Sequence, residues 1–513
     1  MESSQKTLPK SVQLQATSLL RKGDRRLVPL RYRQVADAWL ISNDFGGHIF
    51  VDNDAFERLQ NGTLQTDEPT WAALQAQDFV VADLRRKELS DELKHKRRFL
   101  FSGPNLHIFV VTLRCNHTCQ YCHASRAPMN RIDTDMSVET AERSVDFAFE
   151  SPSPGLTIEF QGGEPLANWE VVQHIIEYSL QKNALARKSV MFALVTNLSL
   201  MDQEKLDYLI DRRVQICTSL DGPADVHDAV RLWSEGSSHA TVTGWMNRIN
   251  QRYTTLGLEE NLYKVEALPT VTRPLLAQAE RLIDHYAELG CRSIFLRHLD
   301  PFGWAATTKA KLGYSMAEFL EFYQRAYFRV IELNRNGTDF VERTAALMVS
   351  KILGRQEPNF LDLRSPCGAG IGQIAYNYDG RLFTCDEGRM IDRNGDDTFC
   401  LGHVDESQYR ETISGPSVRA MVLASTLEGQ PHCASCVYKP WCGVCPVHNY
   451  SEQGSLHGRM ADSTWCQKYM GLFDFLMSRV RLGDEFERGV LQRWATPRSQ
   501  EHFLQQAPGP DAV

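Results

Sequence analysis

The stretch LHIFVVTLRCNHTCQYC (residues 106–122) joins two unlike halves. Its first eight residues are almost continuously apolar and β-prone, the pattern of a strand covered on both faces in a parallel sheet. The second half abandons that pattern and sets Cys115, Cys119 and Cys122 in a loop at C-x3-C-x2-C spacing. Three thiolates so close in sequence can wrap one face of a 4Fe–4S cube. Such a cube normally takes four cysteines, so three leave one iron open to chelate a small molecule. Zinc is the alternative, with His117 or His123 completing the ligand set. Zinc hooks come as paired C-x2–4-C segments, however, and a strand running into a triplet is the wrong context for one.

Outward from this strand the chain keeps a β/α rhythm. Strand candidates recur at 156–161, 189–196, 213–220, 263–271 and 292–299, with helix-length segments between them. Short apolar strands alternating with helices predict a parallel sheet. Six units predict an α/β domain built as a partial (β/α)6 barrel over residues 99–345. A doubly wound sheet is the second choice. In both, ligands sit at the carboxyl ends of the strands.

The flanks differ in character. Residues 1–26 are polar and read as a flexible arm. Residues 27–98 form a small β+α unit with a hairpin turn at Phe45-Gly46-Gly47, followed by a charged helical connector. Residues 346–495 contain a region with eight cysteines, many glycines and weak periodicity, the signature of a domain held by metal. The segment from Cys466 to about Ala495 reads as one amphipathic helix, and residues 496–513 as a disordered tail. The whole has 513 residues, 42% apolar, enough for two to four domains. A net charge of −8 gives no electrostatic footprint for nucleic acid. No apolar run is long enough to span a membrane, and the N-terminus lacks a signal peptide, so a cytoplasmic location and no membrane partner are expected. Thirteen cysteines in a reducing compartment point to metal ligation rather than disulfides.

Further motifs fall at strand ends. The second strand runs into Gln161-Gly162-Gly163-Glu164-Pro165, where glycines allow close backbone approach and the carboxylate can pair with an ammonium group. The third ends in Thr196-Asn197-Leu198 and the fourth in Ser219-Leu220-Asp221-Gly222, with His227, Asp228 and Arg231 beyond. Helix capping or a surface pair would equally explain His227 and Arg231. Cys217 and Cys291 read as buried structural thiols. Downstream, Cys367 and Cys385 precede a C-x2-C-x5-C-x2-C run of Cys433, Cys436, Cys442 and Cys445, and Cys466 follows.

The triplet, with Tyr121 before its last cysteine, resembles the signature of the radical S-adenosylmethionine (SAM) superfamily over roughly residues 104–310. The resemblance implies an enzyme in which a SAM-binding 4Fe–4S cluster on Cys115, Cys119 and Cys122 splits SAM to a 5′-deoxyadenosyl radical. It implies cofactor contacts from Tyr121, Gly162, Gly163, Glu164, Asn197, Ser219, Asp221 and Arg231. Leu198 stands where relatives have glycine. The second cysteine set resembles the SPASM extension of peptide maturases, although one spacing is x2 where the family has x3. By position it implies one auxiliary 4Fe–4S cluster on Cys433, Cys436, Cys442 and Cys466, and another on Cys367, Cys385 and Cys445. Cys400, His403 or His448 could be its fourth ligand, or its fourth iron could stay open. Asp386 stands where anaerobic sulfatase-maturing enzymes have a proton-accepting aspartate.

From about residue 25 to 480 the chain is similar to the B-type radical SAM maturase of the His-Xaa-Ser peptide system. That resemblance implies oxidation or crosslinking of a small ribosomal precursor peptide, a second radical SAM maturase as partner, and a flavodoxin- or ferredoxin-like reductant. Formylglycine formation of the sulfatase-maturase kind, or a non-catalytic iron–sulfur or zinc protein, are the competing readings.

Overall fold

The computed structural model describes residues 18–19, 24–258, 263–358, 360–392 and 395–496. Period-two patterning builds an antiparallel sheet at the N-terminus, in order β1 (Ser18–Leu19), β2 (Arg31–Val35), β3 (Ala38–Ser42), β4 (His48–Val51). Helices Asn53–Asn61 and Pro69–Ala76 cover it, and Ile41, Val51, Phe56, Leu59, Leu74 and Phe79 fill a core of its own. Within the expected arm 1–26, Ser18 and Leu19 pair with Tyr32 and Arg31, and residues 1–17 and 20–23 lie outside the described residues.

The remaining strands are β5 (Leu106–Thr112), β6 (His117–Cys119), β7 (Gly155–Gly162), β8 (Ser189–Thr196), β9 (Gln215–Ser219), β10 (Arg231–Trp233), β11 (Glu266–Leu268), β12 (Ser293–Ile294), β13 (Val341–Glu342), β14 (Gln373–Tyr376), β15 (Arg381–Phe383) and β16 (Cys400–His403). One sheet has the order β11-β9-β8-β7-β5-β14-β15-β16. Its first five strands are parallel and follow chain order without reversal. A doubly wound sheet would reverse at a switch point, so the partial barrel is the correct choice. The sixth expected strand is split: Ser293–Ile294 pairs with β13, and only the isolated bridge Thr270↔Arg297 links the segment to β11's continuation. The sheet is mixed because β14 adds parallel to β5, and β15 and β16 add antiparallel. The cysteine-rich region is thus hydrogen-bonded to the barrel.

Strand alternation defines the barrel's two faces. Leu156, Ile158, Phe160, Phe192, Leu194 and Ile216 are buried under helices such as Val138–Phe149, which Ser137 caps through Thr140 N–H, and Trp169–Ala186. The alternate residues Glu159, Gln161, Ala193, Val195, Cys217 and Ser219 are only part-buried and line the hollow. Cys217 is therefore not the buried thiol expected, whereas Cys291 is.

The expected closing helix is two helices, Thr464–Leu482 and Glu485–Ala495, broken at Gly483 and capped anew by Asp484. The tail expected from residue 496 lies outside the described residues after Thr496. The N-terminal unit docks on the cysteine-rich region. Arg33 donates to both oxygens of Asp474 at 2.7 and 2.8 Å, Arg31 to the Ala434 carbonyl at 2.8 Å, and Ser42 to the Val437 carbonyl at 2.6 Å. Among the described residues no helix is long and apolar enough to cross a membrane.

Candidate functional site

The loop after β5 is tied down before it reaches its cysteines. Arg114 forms a bidentate pair with Asp135, and Gly163 and Glu164 donate backbone N–H to the carbonyls of Thr112 and Arg114 at 2.9 and 2.7 Å. That stitch explains the two glycines. A Cβ on Gly162 would lie 2.1 Å from the Thr112 carbonyl oxygen, and one on Gly163 2.3 Å from that of Arg114. Gly162 also has φ of +144°.

β6 then pairs antiparallel with β10, in a register that places Arg231 opposite Cys119. The Arg231 Nη1 lies 3.7 Å from the Cys119 sulfur. Burial pushes the Cys119 thiol up to about 11, and Arg231 opposes that rise. Burial also raises Cys115, and the charges of Cys119, Glu164 and Cys122 raise it further. The three thiols are thus close enough to resist one another's ionisation, a cost that a bound cation removes. The donor set of three sulfurs fits an iron–sulfur cluster. His117 is turned away from it: its Nε2 meets Ser238 Oγ at 2.9 Å, and its Nδ1 lies 3.1 Å from Asn197 Nδ2. It is committed to structure rather than to a zinc ion.

The other motif residues converge on this loop from three strand ends. Glu164 is fully buried, and its carboxylate accepts from Thr196 Oγ1 at 2.7 Å, Asn197 N–H at 2.7 Å and Leu166 N–H at 3.1 Å. It locks β7 to β8, and burial lifts its carboxyl to about 7. Asn197 reaches Asn116 Oδ1 at 3.2 Å and the Cys115 sulfur at 3.8 Å. Leu198 takes φ of +59°, the left-handed conformation that glycine would adopt without strain, and is completely buried. The cost of about 1–3 kcal/mol is offset by an apolar side chain removed from water.

Asp221 is a second hub. Its carboxylate accepts from the Tyr121 hydroxyl, from Arg231 Nε at 2.7 Å and from Thr270 N–H at 2.9 Å, and it is itself fully buried. The Arg231 guanidinium lies over the Tyr121 ring at 5.3 Å. His227 Nδ1 accepts from Asp221 N–H at 3.0 Å, so His227 and Arg231 are not a surface pair, while Arg231 also caps the helix Ala224–Val230 through its N–H to the His227 carbonyl. Glu164, Asp221, Tyr121 and Arg231 are tied into the wall by these bonds, while Gly162, Gly163 and Ser219 are only part-buried at the strand ends.

The downstream cysteines sort into two groups. Cys433 is raised by burial and then by the charges of Cys442, Cys436 and Cys466. These four line one cavity with Leu427, Met470 and Phe473. Cys385 is raised by burial, Glu387, Cys445 and Cys367. Backbone N–H groups point at its members, from Gly388 to the Cys385 sulfur at 3.3 Å and from His448 to the Cys445 sulfur at 3.4 Å. Gly443 lets the short Cys442–Cys445 connection divide between the groups, since a Cβ there would meet the Asp362 carbonyl oxygen at 2.5 Å.

Neither Cys400 nor His403 belongs to the three-cysteine group. Cys400 packs with Ile108, Val110 and Phe383, and His403 is bonded to the Asp379 carbonyl. The nearest charged neighbours of that group are Asp362 and Glu387, which sequence reasoning missed because neither stands in a recognisable motif. Asp386 begins the helix Asp386–Asp392 and is buried, with Arg389 Nε donating to it at 2.8 Å. It faces Glu159, whose carboxyl burial pushes up, across the hollow.

Three cysteines at a barrel strand end have a two-glycine stitch beside them. Residues 109–240 match the Radical SAM superfamily. The fold is the radical SAM α/β fold, and that superfamily implies a 4Fe–4S cluster and SAM. The chain is 28% identical over 129 residues to an uncharacterized protein of Methanocaldococcus jannaschii, covering 25% of this chain and 42% of that relative's length. It is 21% identical over 375 residues to the cysteine-type anaerobic sulfatase-maturating enzyme of Clostridium novyi, covering 71% of this chain and 93% of that protein. Among solved structures, anSMEcpe with bound AdoMet and Cp18Cys peptide superposes with a TM-score of 0.61 at 19% identity, covering 76% of this chain and 98% of that one. Streptococcus suis SuiB bound to precursor peptide SuiA gives 0.50 at 14% identity, with 87% and 99% covered.

Proposed function

We propose that this radical SAM enzyme oxidises or crosslinks a ribosomally made precursor peptide, of the His-Xaa-Ser type, with two auxiliary clusters besides the SAM-binding one. The observation that carries the reading is the gathering of ten of the thirteen cysteines into three groups, at Cys115/Cys119/Cys122, Cys433/Cys436/Cys442/Cys466 and Cys367/Cys385/Cys445. A zinc-stapled scaffold has no use for the Glu164 and Asp221 hubs at the mouth of a hollow barrel.

When bound, the first cluster and SAM supply the radical that takes a hydrogen atom from the peptide. The chain's own residues orient and shield. Tyr121, Asp221 and Arg231 fix the cysteine loop. Gly162, Gly163 and Ser219 border SAM. Asp386 accepts the proton of the oxidised residue, with Arg389 Nε donating to it at 2.8 Å and fixing its orientation. The N-terminal sheet takes the precursor as an added strand. Partners are a second radical SAM maturase and a flavodoxin- or ferredoxin-like reductant.

Formylglycine formation is the second reading, favoured by likeness to the Clostridium novyi enzyme along most of both chains. The test is anaerobic reconstitution, an iron and sulfide count, reduction, and chromatography for 5′-deoxyadenosine. About twelve irons per chain, and 5′-deoxyadenosine lost on Cys119→Ala, are expected. Zinc in place of iron with intact SAM would sink the enzyme reading, and an aldehyde rather than a crosslink in the peptide product would select the second.

A further inference from the structure

A buried polar knot joins the barrel to the cysteine-rich domain beside the three-cysteine group, where the His448 N–H donates to the Cys445 sulfur at 3.4 Å. His298 and Asp300 come from the chain that leaves the last barrel segment, and His448 from the helix Pro446–Gln453. One nitrogen or oxygen from each lies within 4.8 Å of the others. His298 Nε2 is 3.1 Å from Asp300 Oδ1, close to the spacing of neighbouring ligands around an ion that binds nitrogen and oxygen at about 2.0–2.2 Å.

Two further features point to a ligand. The His448 side chain is 1% exposed, yet its Nδ1 has no hydrogen-bond partner. Its other nitrogen meets Thr464 Oγ1 at 2.9 Å and lies 3.7 Å from Glu452, the outer contact that orients a metal-binding imidazole. His123 Nε2 is likewise buried without a partner, on a ring that hydrogen-bonds the Asp300 backbone. A buried nitrogen lone pair left unmatched costs about 1–3 kcal/mol, so two at one place are hard to explain by packing alone.

We propose that His298, Asp300 and His448 bind a divalent first-row transition-metal ion that ties the last barrel segment to the C-terminal domain. Two imidazoles and one carboxylate are a borderline nitrogen and oxygen donor set, suited to Zn2+ or Fe2+. Lys468 Nζ sits 3.2 Å from His298 Nδ1, the nitrogen turned from Asp300, so it does not occupy the ligand position. Before binding, the Lys468 ammonium donates to His298 Nδ1, and Nε2 carries its hydrogen toward Asp300. When Nε2 gives its lone pair to the ion, that hydrogen leaves to solvent as one proton per ion bound. A proton passes from the ammonium to Nδ1, and the Lys468 amine then accepts that hydrogen bond. The site does not depend on which peptide the enzyme modifies or on radical chemistry, so its failure and the failure of the proposed function are read separately.

The test uses the holoprotein with its iron–sulfur complement reconstituted, Zn2+ as probe, desalting, metal counting and zinc-edge X-ray absorption. Expected is about one zinc per chain beyond the iron, with a nitrogen and oxygen shell at about 2.0–2.1 Å. His298→Gln and His448→Gln lose it at unchanged iron, and Lys468→Met keeps it. No zinc in the wild-type protein, equal zinc in both histidine variants, or a sulfur shell at about 2.3 Å overturns the proposal. Should the histidine variants lose iron, proton release from wild-type protein decides: about one proton per zinc supports the site, and none refutes it.

Discussion

Replacing Gly163 with alanine should dismantle the cysteine loop without touching a cysteine. The new Cβ would stand 2.3 Å from the Arg114 carbonyl oxygen, 2.4 Å from that of Leu113 and 2.7 Å from Arg114 C. Ordinary contact begins at 3.4 Å, so the backbone must part by about 1.1 Å, and no side chain can yield in its place. That displacement breaks the Gly163 to Thr112 and Glu164 to Arg114 backbone bonds, now 2.9 and 2.7 Å. Overpacking of about 1–3 kcal/mol and two lost bonds of about 1 kcal/mol each give about 4 kcal/mol. For 513 residues melting as one unit, the melting temperature should fall by roughly 4 °C. Cys115 follows Arg114 directly, so the first cluster should be lost selectively, taking about a third of the iron if three clusters form. Gly244→Ala is the control: it lies in the helix Ser238–Thr255, a Cβ there meets nothing within 4 Å, and alanine should stabilise by up to about 1 kcal/mol. A Gly163→Ala protein with wild-type iron and melting temperature would refute the stitch.

Other outcomes follow from the same contacts. Arg33→Ala strands the Asp474 carboxylate, 16% exposed, and should cost about 3 kcal/mol and speed proteolytic release of the N-terminal unit; unchanged proteolysis would show that the unit is held by other contacts. Arg231→Met leaves fully buried Asp221 without its cation and should cost about 3–5 kcal/mol together with SAM cleavage, which Asp221→Asn in the same background should partly restore in stability. Burial lowers His107 to about 4 from 6.5, so it is neutral in the fold and readily protonated in the unfolded chain. Stability is therefore full above pH 6.5 and declines as pH falls toward 4, by about 3 kcal/mol from this residue. His107→Gln should flatten that acid limb in denaturant melts, and an unchanged slope would assign the limb to other groups.

The barrel was legible because its strands are apolar on one face and its units repeat in chain order, both local properties. Residues 292–299 misled because their apolar run fits a strand wherever a partner exists, and here the partner is Val341–Glu342. The closing helix misled because Gly483-Asp484 interrupts a pattern whose apolar face continues on both sides. Cys217 looked like a core thiol because a strand in a hollow barrel reads, residue by residue, like one in a filled barrel.

Residue types and spacing alone determined that Cys115, Cys119 and Cys122 share one site, since three cysteines within eight residues lie together wherever the chain goes. The motifs around them carried the resemblance to the radical SAM superfamily. Only the tertiary structure decided that Glu164 and Asp221 each join several strand ends and loops, and that His298, Asp300 and His448 meet. Local sequence constrains neighbours a few residues apart. Pairing across 148 residues, as from Asp300 to His448, depends on β14 adding to β5 and carrying a whole domain to the barrel mouth.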